Sequence, residues 1–79
     1  MAYHTYILFS LSLQKHYIGS TGNLTNRLMD HNSGRSKYTA KGKPWKLVFS
    51  KEFRTRTEAL QLENKIKRRG ASRYLNDQS

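Results

Sequence analysis

The first part of the chain alternates short apolar runs with polar and glycine breaks, which predicts two strands. Tyr3 to Phe9 is rich in Tyr, Ile, Phe and Thr, and its lack of clean alternation indicates a strand covered on both faces. His16 to Ile18 predicts a second strand, which Gly19 to Gly22 is expected to end. In the resulting hairpin, Tyr6 and Tyr17 are expected nearly opposite one another on one face.

The next segment predicts a helix whose inward stripe is only half apolar. Asn23 is a suitable N-cap, the helix covers Leu24 to Asn32, and Gly34 stands at a position typical of a helix end. Two of the four positions at i, i+3, i+4 and i+7 are polar. The stripe consists of Leu24, Arg27, Leu28 and His31.

The second half of the chain predicts a third strand and a second helix. Trp45 to Phe53 forms the strand, after a basic, glycine-containing loop from Arg35 to Lys43. Thr55 with Glu58 three residues later is typical of a capping box, which opens the helix. The inward stripe of this helix consists of Ala59, Leu62, Glu63 and Ile66.

The end of the chain predicts only a short final turn. Gly70 is expected to end the second helix, and Ser72 is expected to cap one turn through Leu75. The element order ββαβα, followed by that turn, predicts one small α/β (α+β) domain over residues 1–79 with a largely antiparallel sheet.

The net charge points to a polyanionic partner. Fifteen Lys and Arg against five Asp and Glu give a charge of +10 in 79 residues, whereas a balanced small domain rarely exceeds a magnitude of about 8. Nucleic acid is favoured over an anionic membrane surface, because no predicted helix pairs a basic face with the broad apolar face of a membrane-binding helix.

The composition also excludes several classes of protein. Without cysteine, neither a disulfide framework nor a thiolate metal site is possible. The apolar runs are all shorter than the roughly 20 residues of a membrane span, and the first residues do not resemble a signal peptide. We therefore expect a soluble, cytoplasmic protein that does not enter a membrane.

The polar residues on the inward stripes have two interpretations. A buried carboxylate needs a partner, so Arg27 or His31 could form a salt bridge to Glu63 that ties the two helices together. Alternatively, these three residues join Tyr6 and Tyr17 on one face of the domain. Such a cluster contains an anion-binding guanidinium, a carboxylate that can bind a metal and groups that can move protons, as phosphodiester hydrolysis requires.

The motifs favour the second interpretation, because the chain resembles the GIY-YIG endonucleases, in particular their small single-domain bacterial members. "YIG" is present as Tyr17-Ile18-Gly19, and Tyr6 lies eleven residues before Tyr17, at the position of the first motif's tyrosine. "NLTNRLMDHNSG" and "EFRTRTEALQLENKIK" resemble the two helices that follow, with Arg27 and Glu63 at the motif positions. The first motif departs from the family, since His4-Thr5 replaces its Gly-Ile.

The resemblance implies a three-stranded antiparallel sheet flanked by helices, and metal-dependent cleavage of DNA rather than RNA, selective for structure and linked to repair or recombination. Glu63 would bind one Mg²⁺ or Mn²⁺, and Arg27 would hold the phosphate. Tyr6 and Tyr17 would position or deprotonate the attacking water. His31 would assist through a hydrogen bond or help to position the phosphate. The scattered acids independently favour one metal, because two-metal sites generally need clustered carboxylates.

The basic loop and the second helix supply the candidate contacts to the nucleic-acid backbone. These residues are Lys37, Tyr38, Lys41, Lys43 and Lys67, of which Tyr38 could stack on an unpaired base. Two alternatives stay open: a nucleic-acid-binding module that does not cut, and an interaction domain whose polar cluster is structural. A protein partner could supply targeting in any of the three cases.

Overall fold

The computed structural model describes residues 2–34 and 39–78, and in this part of the chain three strands form an antiparallel sheet. The strands are β1 (Tyr3–Ser10), β2 (Lys15–Thr21) and β3 (Trp45–Phe53), in the order β2-β1-β3. The helices are α1 (Leu24–Ser33), α2 (Arg56–Arg69) and α3 (Ala71–Gln78), with a short 3₁₀ helix over Ala40–Gly42. The predicted three-stranded antiparallel sheet with flanking helices is therefore confirmed.

The central strand β1 is covered on both faces, as its composition predicts. Because alternate side chains point to opposite faces, Tyr6 and Leu8 pack with Trp45 beneath the leucines of α1. On the other face, Ile7 packs with Ile66 of α2 and with the buried residues of α3. The sheet is thus a layer between α1 on one side and α2 with α3 on the other.

The second strand is longer than the sequence predicts. The prediction that Gly19 to Gly22 ends it was wrong, because the ladder to β1 continues through Gly19 and Ser20 to Thr21. In this register Tyr6 pairs with Gly19, and Tyr17 pairs with Leu8. The two tyrosines share one face but lie diagonally, with ring centroids 6.3 Å apart.

The chain also ends in a full helix rather than the predicted short turn. The helix α3 includes Ser72, which therefore does not cap it. Ala71 and Tyr74 are buried, and the Tyr74 ring meets Phe49 edge-on at a centroid distance of 5.4 Å. This tertiary burial stabilises a helix too short to be stable alone in water.

The two main helices begin where the sequence predicts. The Asn23 side chain accepts a hydrogen bond from the Asn26 amide at the start of α1, and Thr55 accepts one from the Glu58 amide at the start of α2. At its other end, α1 is followed by Gly34 with a left-handed φ of 83°. No helix among the described residues has the length and apolar character needed to cross a membrane.

Candidate active site

A buried hydrogen-bonded chain crosses from β1 to the segment before β3. The Tyr6 hydroxyl lies 3.2 Å from His31 Nε2, and His31 Nδ1 lies 2.7 Å from the Thr39 hydroxyl oxygen. Tyr6 and Thr39 are each 1% exposed, and His31 is fully buried. His31, a polar residue on the inward stripe of α1, is therefore buried inside the domain, and each of its ring nitrogens has a hydrogen-bond partner.

Arg27 joins this chain at Tyr6. Its guanidinium hydrogen-bonds the Tyr6 hydroxyl, which raises the pKa of the already basic arginine. Burial nevertheless raises the pKa of Tyr6 above its usual range, outweighing the opposing effect of Arg27. Burial, followed by the Arg27 charge, lowers the pKa of His31. At neutral pH the structure therefore holds a phenol beside a neutral imidazole.

The glycine of the YIG motif leaves the space in which the Tyr6 hydroxyl lies. A Cβ atom on Gly19 would lie 2.7 Å from the Tyr6 hydroxyl oxygen and 3.2 Å from a ring carbon of Tyr17. Carbon atoms pack at about 3.5–4.0 Å, so a side chain here would displace the tyrosine from Arg27 and His31.

A cavity of about 620 Å³ opens at the outer edge of β2, beside the buried chain. Tyr17 and Thr39 line it on the α1 side, and the Tyr17 ring also contacts His31 at a centroid distance of 4.8 Å. Glu63 and Lys67 line it from α2, and Lys15 lies at its margin. The cavity therefore combines a tyrosine, a carboxylate and two ammonium groups.

The predicted residues approach one another from both faces of the sheet. α2 packs on the face opposite α1, and its Glu63 reaches the cavity at the edge of β2, where Tyr17 also lies. The alternative salt bridge is not found, because neither Arg27 nor His31 pairs with Glu63 among the described contacts. Instead, the Glu63 carboxylate lies 2.7 Å from the Lys67 ammonium, one helical turn away.

Glu63 is the residue in this cavity that fits a divalent cation. No group of three or more His, Cys, Asp or Glu side chains that could enclose a metal occurs within residues 2–34 and 39–78. Mg²⁺, however, often binds through one or two carboxylates and completes its shell with water and phosphate oxygens. The Glu63 side chain is 14% exposed, in a cavity with room for these ligands.

The candidate contacts to nucleic acid are only partly placed by the structure. Lys67 lines the cavity, whereas Lys41 is exposed in the middle of the 3₁₀ helix. Lys43 is exposed, and its ammonium lies beside Gly34 at the carboxyl end of α1, where a cation is favourable. The predicted contacts Lys37 and Tyr38 lie outside the described residues.

Sequence reasoning missed several residues that build the site. Thr39 sits in a segment without periodicity, so no pattern marks it. Trp45 was assigned only to a strand, yet its indole donates to the Thr39 carbonyl oxygen at 2.7 Å. Lys15 and Leu13, which also line the cavity, precede the YIG motif closely, and that proximity was an available signal.

The altered first motif does not remove a functional group from the cavity. Thr5 is buried on the α2 side of the sheet, where its hydroxyl donates to the Ala59 carbonyl oxygen at 2.6 Å. His4 Nε2 lies 3.5 Å from the Glu52 carboxylate of the neighbouring strand. Both replacements therefore act in packing and strand pairing, away from Tyr17 and Glu63.

These features identify a class: the sheet, the paired tyrosines and the Arg27 helix are those of a GIY-YIG nuclease fold. The profile of the GIY-YIG catalytic domain matches residues 2–76. The chain therefore belongs to the GIY-YIG family.

Within this family the chain is similar to small bacterial proteins designated UPF0213, a designation that states no activity. The UPF0213 protein of Bacillus licheniformis is 38% identical over 65 residues, which cover 77% of this chain and 67% of the relative. For Bacillus pumilus the identity is 44% over 52 residues, or 65% and 53% of the two chains. The chain thus spans only about half the length of the second relative.

A solved structure supports the same assignment. The solution NMR structure of a UPF0213 protein from Bacillus halodurans is 32% identical and superposes with a TM-score of 0.53. The match covers 86% of this chain and 72% of the other. The fold is therefore shared between the two proteins.

Proposed function

We propose that this protein is a metal-dependent endonuclease that hydrolyses phosphodiester bonds in nucleic acid, with structured DNA in repair or recombination as its substrate. The observation that carries the proposal is the cavity at the edge of β2, where Tyr17 and Glu63 meet next to the Arg27–Tyr6–His31 chain. The net charge of +10 supports a polyanionic substrate.

In this proposal Glu63 holds one Mg²⁺ or Mn²⁺. The bound cation would polarise the phosphate and stabilise the charge that develops on its oxygens. Lys67 balances the Glu63 charge in the present structure, and its side chain is 52% exposed. Because this lysine is long and half in solvent, it can turn toward a substrate phosphate when the carboxylate binds a cation.

Arg27 connects the substrate to the buried chain. A guanidinium has five N–H donors in a planar fork, so hydrogen bonding to Tyr6 leaves donors for a phosphate. Two N–H groups matching two phosphate oxygens would fix the orientation of the phosphate as well as neutralise it. The scissile group would then lie next to the Tyr6 hydroxyl.

Tyr6 and His31 together can accept a proton without forming a free phenolate. The raised pKa of Tyr6 opposes the phenolate, and the lowered pKa of His31 keeps its imidazole neutral. As the attacking water gives a proton to the Tyr6 oxygen, Tyr6 can give its own proton to His31 Nε2, 3.2 Å away. The reverse transfers return a proton to the leaving oxygen.

The test compares two glutamates of one helix. Wild type, Glu63→Gln, Glu58→Gln and Arg27→Ala are incubated with labelled single-stranded, duplex and branched DNA, and with RNA of the same sequence, each with Mg²⁺, Mn²⁺ or EDTA. Glu58 is the matched control, because glutamine suits its capping position as well as glutamate does.

We expect wild type and Glu58→Gln to cut, and Glu63→Gln, Arg27→Ala and all EDTA samples to be inactive. Equal cutting by Glu63→Gln would contradict the assignment of the metal ligand, and uncut substrates in every wild-type sample would refute the nuclease. The RNA samples show whether the protein cuts DNA in preference to RNA.

One observation favours a second candidate, a nucleic-acid-binding module that does not cut. The Glu63–Lys67 contact at 2.7 Å already neutralises the only carboxylate that lines the cavity among the described residues. In that case all variants that keep the basic surface would bind DNA with strong salt dependence, and none would cleave it. A purely structural cluster is less favoured, because the described ion-pair partner of Glu63 is a half-exposed lysine, and exposed ion pairs contribute little to stability.

A further inference from the structure

Hydrogen bonds to both its side chain and its backbone hold Thr39 in place. Its hydroxyl contacts His31 Nδ1 at 2.7 Å, and its carbonyl oxygen accepts hydrogen bonds from the Trp45 indole at 2.7 Å and the Gly42 amide at 3.0 Å. The side chain is 1% exposed. Both the backbone and the hydroxyl of Thr39 are therefore fixed relative to the imidazole.

The hydrogen bonds around Tyr6 favour one of the two neutral tautomers of His31. Arg27 can only donate to the Tyr6 oxygen, and the phenol has one O–H of its own to give. His31 Nε2 is the described neighbour that can accept this hydrogen, and it does so when its lone pair faces the phenol. In this arrangement the imidazole proton is on Nδ1, and the Thr39 hydroxyl oxygen accepts it.

We propose that Thr39 is a positioning residue for the nuclease reaction: its hydroxyl holds His31 as the Nδ1–H tautomer and thereby keeps Nε2 free to accept the Tyr6 proton. The catalytic part of this inference rests on the proposed function. Enzymes that use a histidine as a base commonly fix its tautomer by a partner on the other ring nitrogen, and the wrong tautomer is a poor base.

Other groups near His31 do not replace this role. Tyr6 from β1 and Tyr17 from β2 face its ring, and Arg27 and Asp30 act on it from its own helix. Among the described hydrogen bonds, only Thr39 contacts Nδ1. The hydroxyl at position 39 is thus the group placed to orient Nδ1, whereas the charged neighbours affect how readily the ring gains a second proton.

The experiment uses a second buried threonine as its control. Thr39→Val and Thr5→Val each remove a hydroxyl from a buried hydrogen bond, but the Thr5 bond goes to Ala59 on the other side of the sheet. Histidine ¹⁵N spectra of the full chain report the tautomer of each ring, and a His31→Gln variant assigns the His31 signals. Thr39→Ser restores the hydroxyl.

We expect the Nδ1–H tautomer in wild type, Thr5→Val and Thr39→Ser, and a mixed or Nε2–H state in Thr39→Val. In the cleavage assay, Thr39→Val should lose about 10- to 100-fold in kcat, by analogy with the loss of a partner that orients a metal-binding histidine. KM should change far less, and Thr5→Val should keep its kcat even where its stability falls.

The proposal is overturned if wild-type His31 is the Nε2–H tautomer, a result that needs no variant to fold. It is also overturned if Thr39→Val changes the tautomer but not kcat. If wild type does not cut at all, the proposed nuclease fails together with the catalytic role of Thr39, while the tautomer spectra still show whether the hydroxyl orients the ring. The two failures are therefore distinguishable.

Discussion

At the scale of single residues, the site depends on a buried acid–base pair and on the absence of one side chain. Tyr6 and His31 are buried away from bulk solvent, so their hydrogen bonds operate at low local dielectric and are sensitive to displacement. Gly19 opposes Tyr6 in the sheet and leaves room for its hydroxyl. The glycine of YIG therefore matters here for close approach rather than for turning the chain.

Replacing Gly19 with alanine should damage both stability and site geometry. The new Cβ would meet the Tyr6 hydroxyl oxygen at 2.7 Å, and that phenol is held by Arg27 and His31. We expect a loss of about 1–3 kcal/mol, typical of overpacking. Gly22→Ala is the matched control, since its nearest contact would be an ordinary 3.6 Å. Urea unfolding that ranks the two variants equally would contradict this explanation.

Stability should fall as the solution is acidified below about pH 6.5, the usual histidine pKa. Burial lowers the folded-state pKa of His31 and of His16, so the unfolded chain binds protons more readily in this range. The stabilisation is complete above pH 6.5 and is lost as the pH falls toward the folded-state pKa. Urea midpoints at pH 8 and pH 5 measure the effect, and His31→Gln should reduce it. Identical midpoints would contradict the inferred burial effect.

At the scale of elements, helix caps and side-chain hydrogen bonds to neighbouring strands and helices fix where the helices lie on the sheet. The Asn32 side chain bonds both backbone groups of Trp45, which fixes the end of α1 to the start of β3. The Thr5 hydroxyl ties β1 to α2 at Ala59, one turn before Glu63. These hydrogen bonds hold the end of α1 against β3 and the start of α2 against β1.

The N-cap of α2 should contribute measurably to stability. Thr55→Ala removes the hydroxyl that accepts from the Glu58 amide at 3.2 Å, and loss of such a cap typically costs about 1 kcal/mol. Thr57→Ala, at an exposed position inside the same helix, should change stability by much less. Chemical denaturation of both variants tests the cap, and a larger loss for Thr57→Ala would contradict it.

At the scale of the whole molecule, positive charge is abundant, and the fold decides where it is useful. Lys15 and Lys67 border the cavity, whereas Lys65 lies with Lys51 and Phe53 at a different concave surface. Two lysines only two residues apart on α2 therefore face different surroundings. A substrate backbone in the cavity would contact Lys67.

The salt dependence of DNA binding should distinguish the contributions of Lys67 and Lys65. Lys67→Ala should reduce the slope of log affinity against log salt by about 1, because one phosphate contact and its released counterion are lost. Lys65→Ala removes the same charge from the other surface and should leave the slope nearly unchanged. Fluorescence anisotropy over a salt series measures both, and equal slopes would place the nucleic acid elsewhere.

The sequence by itself determined the strand and helix order, the caps at Asn23 and Thr55, and the identity of the motif residues. These features arise from local periodicity, from capping chemistry and from short motifs, all of which depend on residues that are close together in the sequence. The same local logic misjudged the end of β2 and the length of α3, because pairing with β1 and the burial of Tyr74 extend them.

Only the tertiary structure decided how the site is assembled. Helical spacing placed Arg27, His31 and Glu63 on inward stripes but could not show that α1 and α2 cover opposite faces of the sheet. Nor could it show that Thr39 bonds His31, eight residues away in a segment without a repeating pattern. Contacts of this kind depend on where distant elements pack, and that is set by burial of the whole core rather than by any local segment.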